Sequence, residues 1–465
     1  MAEGIVDLSP LPAPLTLQDA YHLLRRATFH PTYAAARAMV GQGADEAVNT
    51  LMGLQPAIPL PDWADDPPAL TQESAPPLWP LLQQWWIGHC LTEPSLREVM
   101  VAMWHNHFTS DYITVYAPQW MVKQSEFLRR HVYDFRALGE GIVGDPAMLR
   151  YLNGYQSVKG NPNENFAREW FELFSLGIGN YTEFDIVEAA RAFTGWQVAG
   201  RDSEYSRQLA DLGEKTILGQ TGPWEYQDVV RITLEQEACS RFIATKLIRT
   251  FVEYYPDPAA VDAVASLIRV NDYDLTVVLK TVLASNYFFD HNRRGALIKS
   301  PLQLTIGLAS ILGETQIAPA YVVQAMTSLT QAPFYPPTVE GWKGHHVWIT
   351  SSTFPNRQRF SEAFIDGRVA GTASKLYDTN GQPIEVNLVD VVAQLPDFEI
   401  AESVVANVCE LMLPVQTNEE QRAILLDVMM AGLPASYWDI TSGTANSRLR
   451  LLFQTIVRMP EFQLT

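Results

Sequence analysis

The sequence predicts an all-α protein, a large multi-helix array with one small irregular or β excursion near residues 196–222. Three observations carry that prediction. Apolar residues recur at helical spacing through most of the 465 residues. Cap residues and prolines stand where helices should begin, and glycines where they should stop. Only between Trp196 and about Pro223 does the period fail, in RDSEYSRQLADLGEKTILGQTG, whose Gly, Asp and Ser punctuation suits one small hairpin.

Residues 1–15 form a Pro-rich lead-in. Thr16 then caps a helix through Asp19, with Leu17, Ala20, Tyr21 and Leu24 facing inward and Arg25 and Arg26 expected outside. Two short helices follow to about Leu51. Residues 54–78 are proline-rich and read as a surface loop. Helical pattern returns from Trp79 to Phe108, broken near Thr92–Ser95, where Ser95 is the expected N-cap. A long amphipathic helix and a short partner fill 117–144, and Asp145-Pro146 opens the next helix, since proline suits the first helical position. The second half predicts helices over 235–253, 258–270, 274–285, 300–313 and 318–330. A Pro-rich aromatic insertion, APFYPPTVEGWKGHHVWI, precedes further helices from about Asn356. Leu279, Val282, Leu283 and Phe288 are spaced like Phe453, Ile456, Val457 and Phe462, a weak internal echo. We divide the chain provisionally into helical regions 1–225 and 226–465, with a single domain as the alternative.

The most informative stretch is NENFAREWFELFSLGIGNYTEFDIVEAARAFTGW, residues 163–196. Asn163 suits an N-cap, Gly177 a stop, and Thr182 with Asp185 a second cap. Phe166, Trp170, Leu173 and Phe174 share one face, and Glu164, Arg168 and Glu172 form a charged stripe. The result is a helical hairpin rich in charge. This run resembles the signature of the domain of unknown function 1800 family, a bacterial group often exported and often encoded beside members of the family numbered 1501. REVMVAMWHNHF (97–108), FIATKLIRTFV (242–252) and PPTVEGWKGHHVWI (336–349) fit the same family. The resemblance implies a family-1501-like protein as partner. It also implies a His before Asp211, Gly213 and Lys215, where this chain has Ala210, so an activity that needs that His would be impaired.

Composition narrows the function. A net charge of −19 with no basic run argues against nucleic acid and anionic membrane surfaces. Cys90, Cys239 and Cys409 are too few and too scattered for a disulfide framework, and read as buried thiols. No apolar run is long enough for a transmembrane helix. The first residues lack the basic and apolar regions of a signal peptide, which fits a chain that stays in the cell or one already processed after export. The compartment is left open. Motifs of nucleotide loops, zincins, EF-hands and serine hydrolases are missing.

His105 and His107 are the sharpest candidates for chemistry. On a regular helix, i and i+2 point about 200° apart, so the pair converges on a metal only if the helix ends or distorts there. Glu169 and Glu172, or Asp111, would complete a site for one divalent ion such as zinc, iron or manganese. Otherwise the histidines fix helix packing. Glu164, Arg168, Glu188 and Arg191 read as a structural charge network, because alternating Arg and Glu neutralise one another. His345 and His346 suit surface or packing roles, and Arg357 is a candidate partner for a signature carboxylate. Two readings follow. The first is a scaffold or partner protein of a family-1501-like protein; the alternative is a metal-dependent enzyme with a His/carboxylate centre.

Overall fold

A computed structural model describes residues 6–53, 58–68, 71–74 and 77–465. Twenty-three α-helices lie among those residues, with strand confined to two small antiparallel hairpins. The expected loop over 54–78 and the lead-in over 1–15 fall partly outside the described residues. The described part of the lead-in pairs with the second half: Leu11 N–H donates to Ala284 O and Asn286 N–H to Ser9 O, both at 2.9 Å. No described helix is long and apolar enough to cross a membrane.

Local chemistry sets most helix ends. Thr16 with Asp19 and Thr182 with Asp185 form reciprocal capping boxes, so Asp serves where Glu or Gln is more usual. Asp145 caps Pro146–Tyr151 through Met148 N–H, with proline in the first turn. Gly177, at φ +79°, ends the signature helix as expected. Ser95 precedes Leu96–His107 in extended backbone, but its hydroxyl caps nothing. The excursion holds two hairpins rather than one. Trp196–Ala199 pairs with Asp202–Tyr205, and Lys215–Ile217 with Gln220–Gly222. The insertion before Asn356 contains no strand.

One contiguous hydrophobic cluster spans both halves. Backbone bonds also cross the provisional 225/226 division: Phe135 N–H donates to Tyr273 O (3.1 Å) and Leu275 N–H to Tyr133 O (2.7 Å). Cys90, Cys239 and Cys409 are free and buried. The two echo segments bury all eight matched residues.

Arg25 and Arg26 overturn the sequence expectation, for both are buried. Arg26 donates to the carbonyls of Phe251 (3.0 Å), Val252 (2.9 Å), Arg293 (2.7 Å) and Thr465 (2.6 Å). Arg25 donates to Glu410 O and Leu411 O. Phe251 and Val252 end one helix, and Glu410 and Leu411 lie in the last turn of another. Helix ends leave carbonyls unsatisfied and carry the negative end of the dipole, so these four carbonyls stabilise the two buried guanidinium groups. Arg357 is likewise corrected. It binds Gln463 Oε1 (2.6 Å) and Lys299 O (2.8 Å), not a signature carboxylate.

Candidate functional site

The signature helix departs from α geometry where its aromatics are densest. After Asn165–Glu169 the chain runs as a π-helix over Trp170–Ser175, and Leu176 N–H reaches back to Phe171 O at 2.9 Å. The wider turn brings Trp170, Phe171 and Phe174 all inward, leaving Leu173 partly exposed. Phe171 therefore joins the packed face, against which Leu173 still packs in part. Asn163 still serves the start of the helix, accepting from Asn165 N–H at 2.9 Å. Single π turns inside helices are concentrated at functional sites.

The signature charges form two separate groups. Arg168 bridges Glu183 (2.8 and 2.9 Å) and Glu164 (3.3 Å) on the surface. Arg191 holds Glu188 (2.8 and 3.0 Å) and Asp211 (2.9 Å), while Glu188 accepts from Thr216 N–H. Lys215, its side chain wholly covered, donates to Asp211 O and Gly213 O. The Asp-Gly-Lys stretch thus fastens the second hairpin to the signature. Ala210 is buried beside Gly195, whose φ is +104°.

The helix Leu96–His107 stays regular through both histidines, so their rings diverge. His105 packs among Trp86, Phe334 and Trp342. His107 packs among Trp104, Phe108, Phe135, Phe174 and Phe242. The signature helix reaches His107 through Phe174 rather than through a carboxylate. The Phe174 carbonyl lies close enough to favour the charged ring slightly, yet outside hydrogen-bond geometry; both ring nitrogens are buried without a partner. Burial holds His105 down to about 4, and burial with the Lys246 charge holds His107 well below the usual histidine range. Both rings are neutral at pH 7.

Glu172 accepts from Tyr181 Oη at 2.9 Å. Burial and the neighbouring charges of Glu172 and Glu340 raise the Glu169 carboxyl, opposed by Arg168. Asp111 caps Tyr112–Val115 through Thr114. Among the described residues, no group of three or more His, Cys, Asp or Glu is arranged to hold a metal ion. His105, His107, Glu169 and Glu172 are thus not brought together as one set.

The residue between the histidines has a defined task. Asn106 Oδ1 accepts from Trp342 N–H at 2.6 Å and Asn106 Nδ2 donates to Trp342 O at 3.2 Å. This two-way amide clamp holds the GWKGHH loop. Gln83 Nε2 binding Pro333 O, Thr109 Oγ1 binding Val339 O, and Tyr112 N–H binding Phe334 O fix the rest of the insertion. Gly341 has φ +79°, and a Cβ there would meet Asn106 Oδ1 and, at 2.5 Å, its backbone oxygen. Only glycine tolerates that approach. Gly341→Ala and Asn106→Ala are each expected to cost about 1–3 kcal/mol, with markedly less than additive loss in the double variant because both break one clamp. Thermal melts and limited proteolysis within 336–349 check this; full additivity would show that clamp and glycine act independently.

The clamped loop walls a cavity of about 440 Å³. Its lining draws on three of the sequence blocks: Asn106 and His107 from the first, Lys246, Arg249 and Thr250 from the second, and Glu340, Trp342, Lys343, Gly344, His345 and Trp348 from the insertion. Lys246 is half-buried, its Nζ 5.2 Å from the Phe242 ring centroid, and no described carboxylate pairs with it. Burial, and secondarily Arg249, push its ammonium down to about 8. Arg249 Nε donates to Tyr254 O. Lys343 pairs with Glu340 at 3.1 Å, and Tyr254 Oη reaches Lys343 O at 3.2 Å. His345, strained at φ +52°, stacks on Tyr254 with ring centroids 4.1 Å apart. His346 is exposed beside Tyr255. Lys246 and Arg249 were missed in the sequence. Their signal was a second stripe, Phe242, Lys246 and Arg249 at i, i+4 and i+7, beside the buried Ile243, Leu247 and Phe251.

The fold and this site define a helical protein with a cavity bearing Lys246 and Arg249 beside a clamped, glycine-containing aromatic loop. The chain belongs to the family described as Protein of unknown function (DUF1800), whose model matches residues 22–464. No curated protein and no solved structure matches it.

Proposed function

We propose that the protein is a helical binding protein that works with a partner, and that the cavity beneath the GWKGHH loop is its recognition site for an anionic group. The observation that supports this most is the unbalanced charge of the lining. Lys343 and Glu340 neutralise each other, which leaves Lys246 and Arg249 without a carboxylate in a molecule of net charge −19. A partly desolvated cation such as Lys246 binds an anion more strongly than the same group in open solvent, and the exposed Arg249 adds positive charge at the cavity. A family-1501-like protein is the partner the resemblance implies. The exposed Tyr255, Val347 and His346 beside the cavity are the surface it would cover.

Calorimetric titration with inorganic phosphate and with acetate tests the site. Saturable binding is expected, weakening at least about tenfold, or ~1.4 kcal/mol, in Lys246→Met and in Arg249→Gln. Affinity equal in wild type and both variants, or no binding of either anion, would reject the cavity as the site.

A further inference from the structure

We propose that Lys246 is a nucleophilic amine, and that the cavity takes anionic aldehydes or ketones, compounds with a carbonyl near a carboxylate or phosphate, by forming an imine with its Nζ. The proposal rests on the anion-binding reading above and adds the chemistry of the bound molecule. Three features of the cavity support it. Lys246 lies on the cavity wall along the Phe242 ring, with no described hydrogen-bond acceptor or carboxylate to hold its ammonium. Arg249, three residues on in the same helix, is exposed and lines the same cavity, its Nε donating to Tyr254 O. The titratable groups lining the cavity with the amine are neutral His107, Arg249, Tyr254, His345 and the Lys343–Glu340 pair; the Phe242 face favours the ammonium modestly, and no described carboxylate pairs with it. Lysines desolvated next to another cation are the ones that act as imine-forming nucleophiles.

The surroundings also supply the neutral amine that the reaction needs. With the ammonium pushed down to about 8, about half of the lysine is amine at pH 8, against roughly 0.4% for an ordinary lysine. The Nζ lone pair attacks the carbonyl carbon, forming the C–N bond as the carbonyl π pair moves to oxygen. Nitrogen gives up both of its protons through water, and the oxygen takes up two and leaves as water as the C=N bond forms. One amine and one carbonyl give one imine and one water, with no change in oxidation state. Arg249 holds the carboxylate or phosphate while this happens.

The test uses the full chain with pyruvate in one arm and glyceraldehyde 3-phosphate in the other, each reduced with sodium borohydride and mapped by peptide mass. Saturable labelling of Lys246, at concentrations that leave the other lysines unmodified, is expected in at least one arm, and the labelled arm identifies the anion. Labelling should rise with pH toward 8 and fall at least about tenfold in Arg249→Gln. It should be absent in Lys246→Met and suppressed by excess inorganic phosphate. If phosphate binds yet neither probe labels Lys246, or label spreads over lysines according to exposure, the imine is rejected and the anion site stands. If phosphate and acetate do not bind, the anion reading fails and takes this one with it. The mapping on wild-type protein does not depend on how either variant folds.

Discussion

Arg26→Met is expected to lower stability by about 4–5 kcal/mol, among the largest losses a single substitution produces. The guanidinium is fully covered and donates to four carbonyls from three distant parts of the chain. Methionine fills much of the same volume but donates to none of them. Each carbonyl then stays buried without that partner, at about 1–3 kcal/mol where nothing else replaces it. Some of these oxygens accept other bonds, so the losses do not add in full. Arg26→Lys keeps the charge but has one ammonium for four acceptors, and should recover less than half of the loss. Urea denaturation of the three proteins checks this. A loss below about 1 kcal/mol for the methionine variant would show that the carbonyls rearrange onto other donors.

Glu98→Ala should cost about 3–5 kcal/mol, because it strands the Arg129 guanidinium in the interior. Glu98 is completely buried and binds Arg129 through both oxygens, at 2.7 and 2.9 Å. The decisive comparison is with a double replacement. Glu98→Leu with Arg129→Met removes both charges and both desolvation penalties, so it should be far closer to wild type than Glu98→Ala alone. If the double variant is as unstable as the single one, the pair matters for more than mutual neutralisation. Arg129 also donates to Ser125 O and its own carbonyl accepts from Arg97, so the repacked helix must be shown to hold its place.

Local features were legible in the sequence wherever they depend on neighbouring residues. Thr16 and Asp19, or Thr182 and Asp185, lie three residues apart, and their chemistry completes itself within one helical turn. The helices predicted over 258–270 and 300–313 appear as Pro258–Val270 and Pro301–Ile311 for the same reason. What was not legible depends on distant chain. Arg25 and Arg26 look like solvent residues because the carbonyls that bind them carry no sequence identity. Asn106 sits between two histidines that draw the eye, yet its partner is the backbone of Trp342, a contact no residue type announces. The π turn at Trp170–Ser175 hid behind an apolar pattern that an α-helix satisfies nearly as well. The metal reading of His105 and His107 needed the helix to end or distort there; it runs regularly up to its end at His107, and the two rings lie in separate aromatic surroundings.

The buried arginines of the first helix also bear on the order in which the protein can be made. The acceptors of Arg26 lie 225 to 439 residues downstream, and those of Arg25 385 and 386. At roughly 5–20 residues per second, the ribosome needs on the order of 20–90 s after Arg26 emerges to supply the last of them. Until then the Leu17–Ala27 helix can coil locally, but burying its arginines would leave charge without a partner. The Leu17–Ala27 helix is therefore expected to be locked in late, its apolar face waiting exposed beside hydrated guanidinium groups. While the chain between Arg26 and its acceptors is being made, the nascent protein presents a helix that is a natural substrate for chaperones rather than a finished part of the core.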